Sequence, residues 1–411
     1  MTVQICIETK LDLSKSPLNK KDKLDFLAKE VHVNGVGVFD DNGRFLPIIS
    51  QYLSYQSKHE KLATESIPTY GKNLTYFLNY MRTRPEFDDD VSDEAFLTVP
   101  TYVIEEYITF LEGNQNLKST TVRNRDACLF SFMKYLTTPG EDQTQIRKNT
   151  PYSDGYLSKT PKNNPMPPCN PDDLIVLLES TGSERERVVL QFLYDSGLRR
   201  SELPRVTVEH IKNAIYFNST QFISYTSDKP ICPSYVPLEV LGSKGRRNEI
   251  NPRWTLISSA TIQRILKYHA SPLYKKYARK YATQAVTPAF LTAQGTAYTA
   301  SSISKLLERL SKRAIKKGRL KKQISPHKLR HGSAYALLQS EDLGMDYLDR
   351  LVILQKNLGH SQLNTTEMYT KIPHEIYSTM CNEEGELVTK AEKMKRIYET
   401  TQLKINITDR K

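Results

Sequence analysis

The sequence predicts a mainly α protein with a small antiparallel β-sheet, laid out as two helical domains joined by a linker. Three observations carry this. Apolar residues recur at helical spacing through most of the chain. A strand–turn–strand signal interrupts that pattern once, between residues 235 and 251. A stretch rich in Pro, Gly and Asn, 138–168, breaks it in the middle. At 411 residues the chain exceeds one typical core and calls for two or three domains.

Residues 1–45 form an N-terminal extension. Met1 to Leu11 has strand character, Asp12 to Glu30 is charged with a weak helical pattern, and no motif stands out. The extension is either a small packing element or an accessory arm. Within 46–137, Ile67 to Met81 and Val103 to Leu111 carry apolar stripes of helical period. Ser119 or Thr120 caps a further helix whose core side is Leu129, Phe132, Met133 and Leu136. Lys118, Arg123 and Arg125 sit around its start, where cations either face solvent or meet phosphate. The linker 138–168 holds Pro139-Gly140, Pro151, Gly155, Pro161 and Pro165. Fully extended, it could reach roughly 100 Å.

The larger domain spans 169–378. Asn170-Pro-Asp-Asp173 starts a helix, and Glu184 to Asp195 is a second, apolar one stopped by Gly197. Arg199 follows at a buried junction, where arginine requires a partner; Glu202, three residues on, is the candidate. Strands are expected at Ala214 to Phe217 and at Tyr235 to Leu241. Gly242 to Asn248 then reads as a hairpin turn before Glu249-Ile250-Asn251, with Lys244 at its tip beside Arg246 and Arg247. Thr261 to Tyr281 is basic and helical. Ser301 to Lys317 is amphipathic and runs into a cationic cluster that includes Lys312, Arg313, Lys316 and Lys317, suited to a nucleic-acid backbone. Ser325 as N-cap and Pro326 at the first helical position start the next helix, with His327 and Arg330 on one face. Gly359 ends a helix just before His360, and Asn364 with Glu367 resembles a capping box that sets Tyr369 in a short helix. A C-terminal helical tail, 379–411, carries Leu387, Val388, Ala391, Met394 and Ile397, a stripe that covers either its own domain or a neighbouring subunit.

Charge and composition limit the function. A net charge of +12 points to a polyanionic partner. The five cysteines have no metal-ligand or redox spacing, as expected of free thiols in a reducing compartment. There is no apolar leader and no membrane-length apolar run, so a soluble, cytoplasmic protein is expected. No carboxylate cluster suits a metal, and no Gly-rich loop suits a nucleotide.

The segments SGLRRSEL, LGSKGRR, HKLRH and LGHSQLNTTEMYT stand in the order and spacing of the tyrosine recombinase (phage integrase) family. The chain resembles that family well over 170–372 and more weakly over 46–136, which is similar to its helical core-binding domain. The resemblance implies a tyrosine recombinase catalytic domain that needs neither metal nor cofactor. It implies Arg199 and Arg330 on the scissile phosphate, Lys244 as the hairpin lysine, His327 and His360 as active-site histidines, and Tyr369 as the nucleophile. Arg200 adjoins Arg199, but the Gly-Leu-Arg context selects Arg199. The partners implied are double-stranded DNA recombination sites, a homotetramer on two duplexes, and accessory DNA-bending or directionality proteins, on the nucleoid rather than a membrane. Two alternatives share much of the pattern: a type IB topoisomerase-like nicking-closing enzyme and an inactive DNA-binding relative. The second is opposed by the filled active-site set.

Overall fold

The computed structural model describes residues 1–12, 30–59, 61–114, 116–139, 145–152, 155–161, 167–220, 234–244, 250–343, 346–359 and 388–403, excepting the side chains of 7–12, 30–33, 217–220, 243–244 and 251. His360, Tyr369, Arg246, Arg247 and the Asn364–Glu367 pair lie outside the described residues. Two compact units divide the chain near Asn163. Among the described residues no helix is long and apolar enough to cross a membrane.

The first unit begins with strands β1 (Thr2–Asp12) and β2 (Glu30–Phe39), paired antiparallel. Strand β2 lies within the stretch expected to be weakly helical or unpatterned. Its Val36 and Val38 alternate inward and are buried. Their N–H groups donate to Ser54 Oγ at 2.8 Å and Ser50 Oγ at 2.9 Å, docking the strand on helix α1 (Pro47–Lys58). The extension is therefore built into the core of this unit. Helices α2 (Ile67–Arg82), α3 (Thr101–Gly113) and α4 (Ser119–Thr137) follow where the apolar spacing predicts them. Phe77, Phe96 and Phe132 meet at their centre, all fully buried. Burial of each such side chain contributes roughly 1.5–3 kcal/mol. Residues from 145–152 and 155–161 pack back on the same helices. Tyr152 Oη donates to Asp126 Oδ1 at 2.9 Å, and the Ser158 hydroxyl donates to Asp126 Oδ2 at 2.7 Å.

The second unit is built around helix α6 (Glu184–Ser196), whose last ten residues are all buried. Against it pack α5 (Pro171–Glu179), strand β4 (Ile250–Ser258), α8 (Ser259–Ala270) and α11 (Pro326–Leu338). The segment Ala214 to Phe217, expected as a strand, lies inside helix α7 (Val208–Thr220). Its aromatic and β-branched run suggested extended chain, but Val208, Ile211, Ala214 and Ile215 form one helical stripe on the core. Thr207 Oγ1 accepts from the His210 N–H at 3.3 Å, as a helix N-cap does.

Strand β3 (Tyr235–Lys244) pairs antiparallel with β4, in register from Tyr235↔Ser258 to Leu241↔Pro252, with a shift before Lys244↔Ile250. After α8 come α9 (Pro272–Ala278), the amphipathic α10 (Ala300–Lys316), α11, α12 (Tyr347–Leu358) and α13 (Lys390–Thr401). Met394 and Ile397 of α13 are buried in the core of this unit, so the C-terminal stripe covers its own domain.

Candidate active site

Helix α6 ends at Gly197, whose φ of 62° is the left-handed C-cap that glycine tolerates best. The chain turns there and presents Arg199, 37% exposed, two residues on. Glu202, fully buried, holds it from behind: Oε2 accepts the Arg199 backbone N–H at 2.8 Å and Oε1 the guanidinium at 3.1 Å. The same carboxylate takes Arg253 Nη2 of β4 at 2.8 Å. Burial alone would raise the Glu202 carboxyl, but the charge and hydrogen bond of Arg253, aided by Arg199, hold it at about 2. The neighbouring Arg200 donates to Ser304 Oγ of α10 at 2.7 Å.

Helix α11 starts as its sequence predicts, with Ser325 Oγ accepting from Lys328 N–H at 3.4 Å and Pro326 next. Arg330, 3% exposed, donates from Nη1 to Gly197 O at 2.7 Å and from Nη2 to Leu358 O at 2.6 Å. One planar fork thus joins the C-terminal ends of α6 and α12, where carbonyls lack helical partners. His327, one turn nearer the start of α11, is exposed. Packing around its ring, together with the positive charge of Arg330 and Arg199, lowers its pKa and favours the neutral imidazole. Arg330 lies three residues from His327 on the same helix and bonds the carbonyl of Gly197, two residues before Arg199.

The end of α12 is held by a second set of contacts. Asn357 Oδ1 accepts from Leu256 N–H at 2.6 Å and from Thr255 Oγ1 at 2.9 Å, and its backbone carbonyl accepts from Arg253. Gly359 then adopts φ 65°; a Cβ there would lie 2.6 Å from Arg253 Cδ. His360 is the next residue in the chain. Lys244 closes β3 opposite Ile250, with its side chain outside the described residues. Beyond residue 387, Lys390 opens α13 and pairs with Asp195 at 3.1 Å, both fully buried.

The remaining predicted cations divide into two groups. Lys118 is exposed at the start of α4, while Arg123 and Arg125 are half-buried, stacked over Tyr156 at 4.1 Å and Tyr76 at 4.3 Å. Lys312, Arg313, Lys316 and Lys317 line the exposed side of α10 and its end; Lys312 pairs with Glu308 at 2.6 Å and Arg313 donates to Ser180 O at 2.7 Å. Sequence reasoning missed Arg253, Asn357 and His331. Of these only His331 had a local signal, its position four residues after His327.

Two arginines linked through the turn at Gly197, with an imidazole whose neutral form is favoured, suit a phosphate and a proton acceptor. The phage integrase family model matches residues 240–375. Tyrosine recombinase XerC of Syntrophus aciditrophicus (strain SB) is 24% identical over 332 residues, covering 79% of this chain and 93% of that protein. Tyrosine recombinase XerD of Listeria innocua is 25% identical over 332 residues, covering 79% and 94%. Among solved structures, Tn1549 transposon integrase in complex with a circular intermediate DNA superposes with a TM-score of 0.54 at 17% identity, covering 82% of this chain and 96% of that one. XerH site-specific recombinase in its post-cleavage complex gives 0.53 at 18%, covering 80% and 82%. The fold is that of the site-specific recombinases, two mainly helical units, each with one antiparallel pair of strands among the described residues. The order of the arginine, lysine, histidine and tyrosine segments goes further and is similar to that of the tyrosine recombinases.

Proposed function

We propose that this chain is a site-specific DNA recombinase of the integrase type, which cuts and rejoins DNA through a covalent 3′-phosphotyrosyl intermediate. The observation that carries the reading is the Arg330 fork. It binds Gly197 O and Leu358 O together, and so ties the turn bearing Arg199 to the segment entering His360.

In this reading Tyr369 attacks the phosphorus while His327 takes its proton. Arg199 and Arg330 neutralise the five-coordinate phosphorane, and His360 hydrogen-bonds one of its oxygens. Lys244 protonates the leaving 5′-oxygen. The 5′-hydroxyl of a second strand then reverses the step. Residues 46–137 serve as the core-binding domain, 138–168 as linker, 169–378 as the catalytic domain and 379–411 as a tail. Lys118, Arg123, Arg125, Arg246, Arg247, Lys312, Arg313, Lys316 and Lys317 meet the DNA backbone. A protomer of this kind cuts one strand, so the working unit is a homotetramer on two recombination sites, assisted by DNA-bending or directionality proteins.

The test uses two differently labelled duplexes in EDTA. Joining of label from one to the other is the expected product. Relaxation of a supercoiled plasmid without joining, or a strict need for magnesium, would contradict the proposal.

A further inference from the structure

We infer that His331 is a positioning residue for strand cleavage: its ring nitrogen holds the His327 imidazole in the tautomer whose Nδ1 accepts the tyrosine proton. This rests on the reading of His327 as proton acceptor given above.

His331 stands one turn beyond His327 on α11, so the two side chains share a face. Their Nε2 atoms lie 3.0 Å apart, with ring centroids at 4.3 Å and planes at 76°. Two neutral imidazoles that meet Nε2 to Nε2 share one proton, so one ring is the Nε2–H tautomer and the other the Nδ1–H tautomer. The choice has a chemical consequence. If His327 carried its proton on Nδ1, both its nitrogens would be engaged and it could not act as a base. With His331 as acceptor, His327 is Nε2–H and its Nδ1 lone pair is available.

His331 is 3% exposed, so its ring is fixed by the packing of α11. When the Tyr369 oxygen bonds to phosphorus and the bond to the 5′-oxygen breaks, the phenolic proton passes to His327 Nδ1. The leaving oxygen takes its proton from Lys244. The imidazolium so formed faces two adverse charges, Arg330 on the same helix and Arg199 after α6. Its Nε2–H then makes a charge-assisted hydrogen bond to His331, which offsets them.

The test is single-turnover cleavage of a nicked suicide duplex by the full chain and by His331→Phe and His331→Gln, as a function of pH. His331→Phe keeps the ring but removes the acceptor. It should slow cleavage by roughly tenfold to a hundredfold, as loss of a partner that orients a histidine does elsewhere, while DNA binding is retained. The acid limb of its rate profile should move to lower pH, because an imidazolium without its acceptor is harder to form. His331→Gln, whose amide oxygen accepts, should restore both. A His331→Phe enzyme with wild-type rate and an unmoved limb would overturn the proposal. Should that variant fail to fold, nitrogen NMR of histidine-labelled wild type, with His327→Ala used to assign the signals, decides: His327 must be the Nε2–H tautomer and His331 the Nδ1–H tautomer, and the reverse assignment refutes the proposal. Wild-type cleavage by His327→Ala would instead overturn the underlying assignment of the base.

Discussion

Glu202 grips Arg199 twice, through the backbone N–H at 2.8 Å and the guanidinium at 3.1 Å, while it also pairs with Arg253. Glu202→Ala leaves Arg253, 10% exposed, without its charge partner. Removing one member of a buried pair costs about 3–5 kcal/mol, and solvent screening makes the Arg199 arm the smaller share. The urea midpoint of the variant should fall accordingly, and cleavage should fall more than DNA binding. An unchanged midpoint would mean that the carboxylate is not buried in this way.

The same group sets a pH dependence. Its folded pKa of about 2 is below the ordinary 4.5, so its contribution is complete above about 4.5 and is lost as pH falls toward 2. The difference corresponds to on the order of 3 kcal/mol. Glu202→Gln should flatten the stability profile across that window, as read by urea titration at stepped pH.

Much of this arrangement was legible because it is local. The start of α11 follows from Ser325 and Pro326, and the ends of α6 and α12 follow from Gly197 and Gly359, since capping depends on neighbours in the chain. Arg253 and Asn357 were not legible, because their partners, Glu202 and the β4 backbone, lie far away in sequence. The helix around Ala214 was misread for a related reason: a short aromatic and β-branched run looks like strand until its burial partners are known. Strand β2 was missed although Val36 and Val38 alternate, because Gly35 and Gly37 dilute the apolar signal.

Gly359→Ala combines two penalties. A non-glycine residue at φ 65° costs about 1–2 kcal/mol. The new Cβ also displaces Arg253 from its contacts with Asn357 O and Glu202. Cleavage should drop while DNA binding persists, because His360 is the adjoining residue. Equal cleavage by variant and wild type would show that Gly359 does not set the site.

Lys390 and Asp195 form a buried ion pair that fixes α13 to α6. Lys390→Met should destabilise the protein by about 3–5 kcal/mol, since the buried carboxylate loses its counter-charge. A double-mutant cycle with Asp195→Asn should give a coupling energy of about 0.5–3 kcal/mol. Additive effects would show that the two residues do not act as a pair.

The identity of the atom that becomes bonded to DNA decides whether Tyr369 is the nucleophile. A nicked suicide duplex is incubated with the protein in EDTA, the complex is trapped and digested, and the peptide bearing the nucleotide is sequenced by mass spectrometry. The expected result is a phosphodiester on Tyr369 and no adduct from Tyr369→Phe, with DNA binding intact. An adduct on another tyrosine, Tyr377 being nearest in sequence, or one that survives Tyr369→Phe, would contradict it.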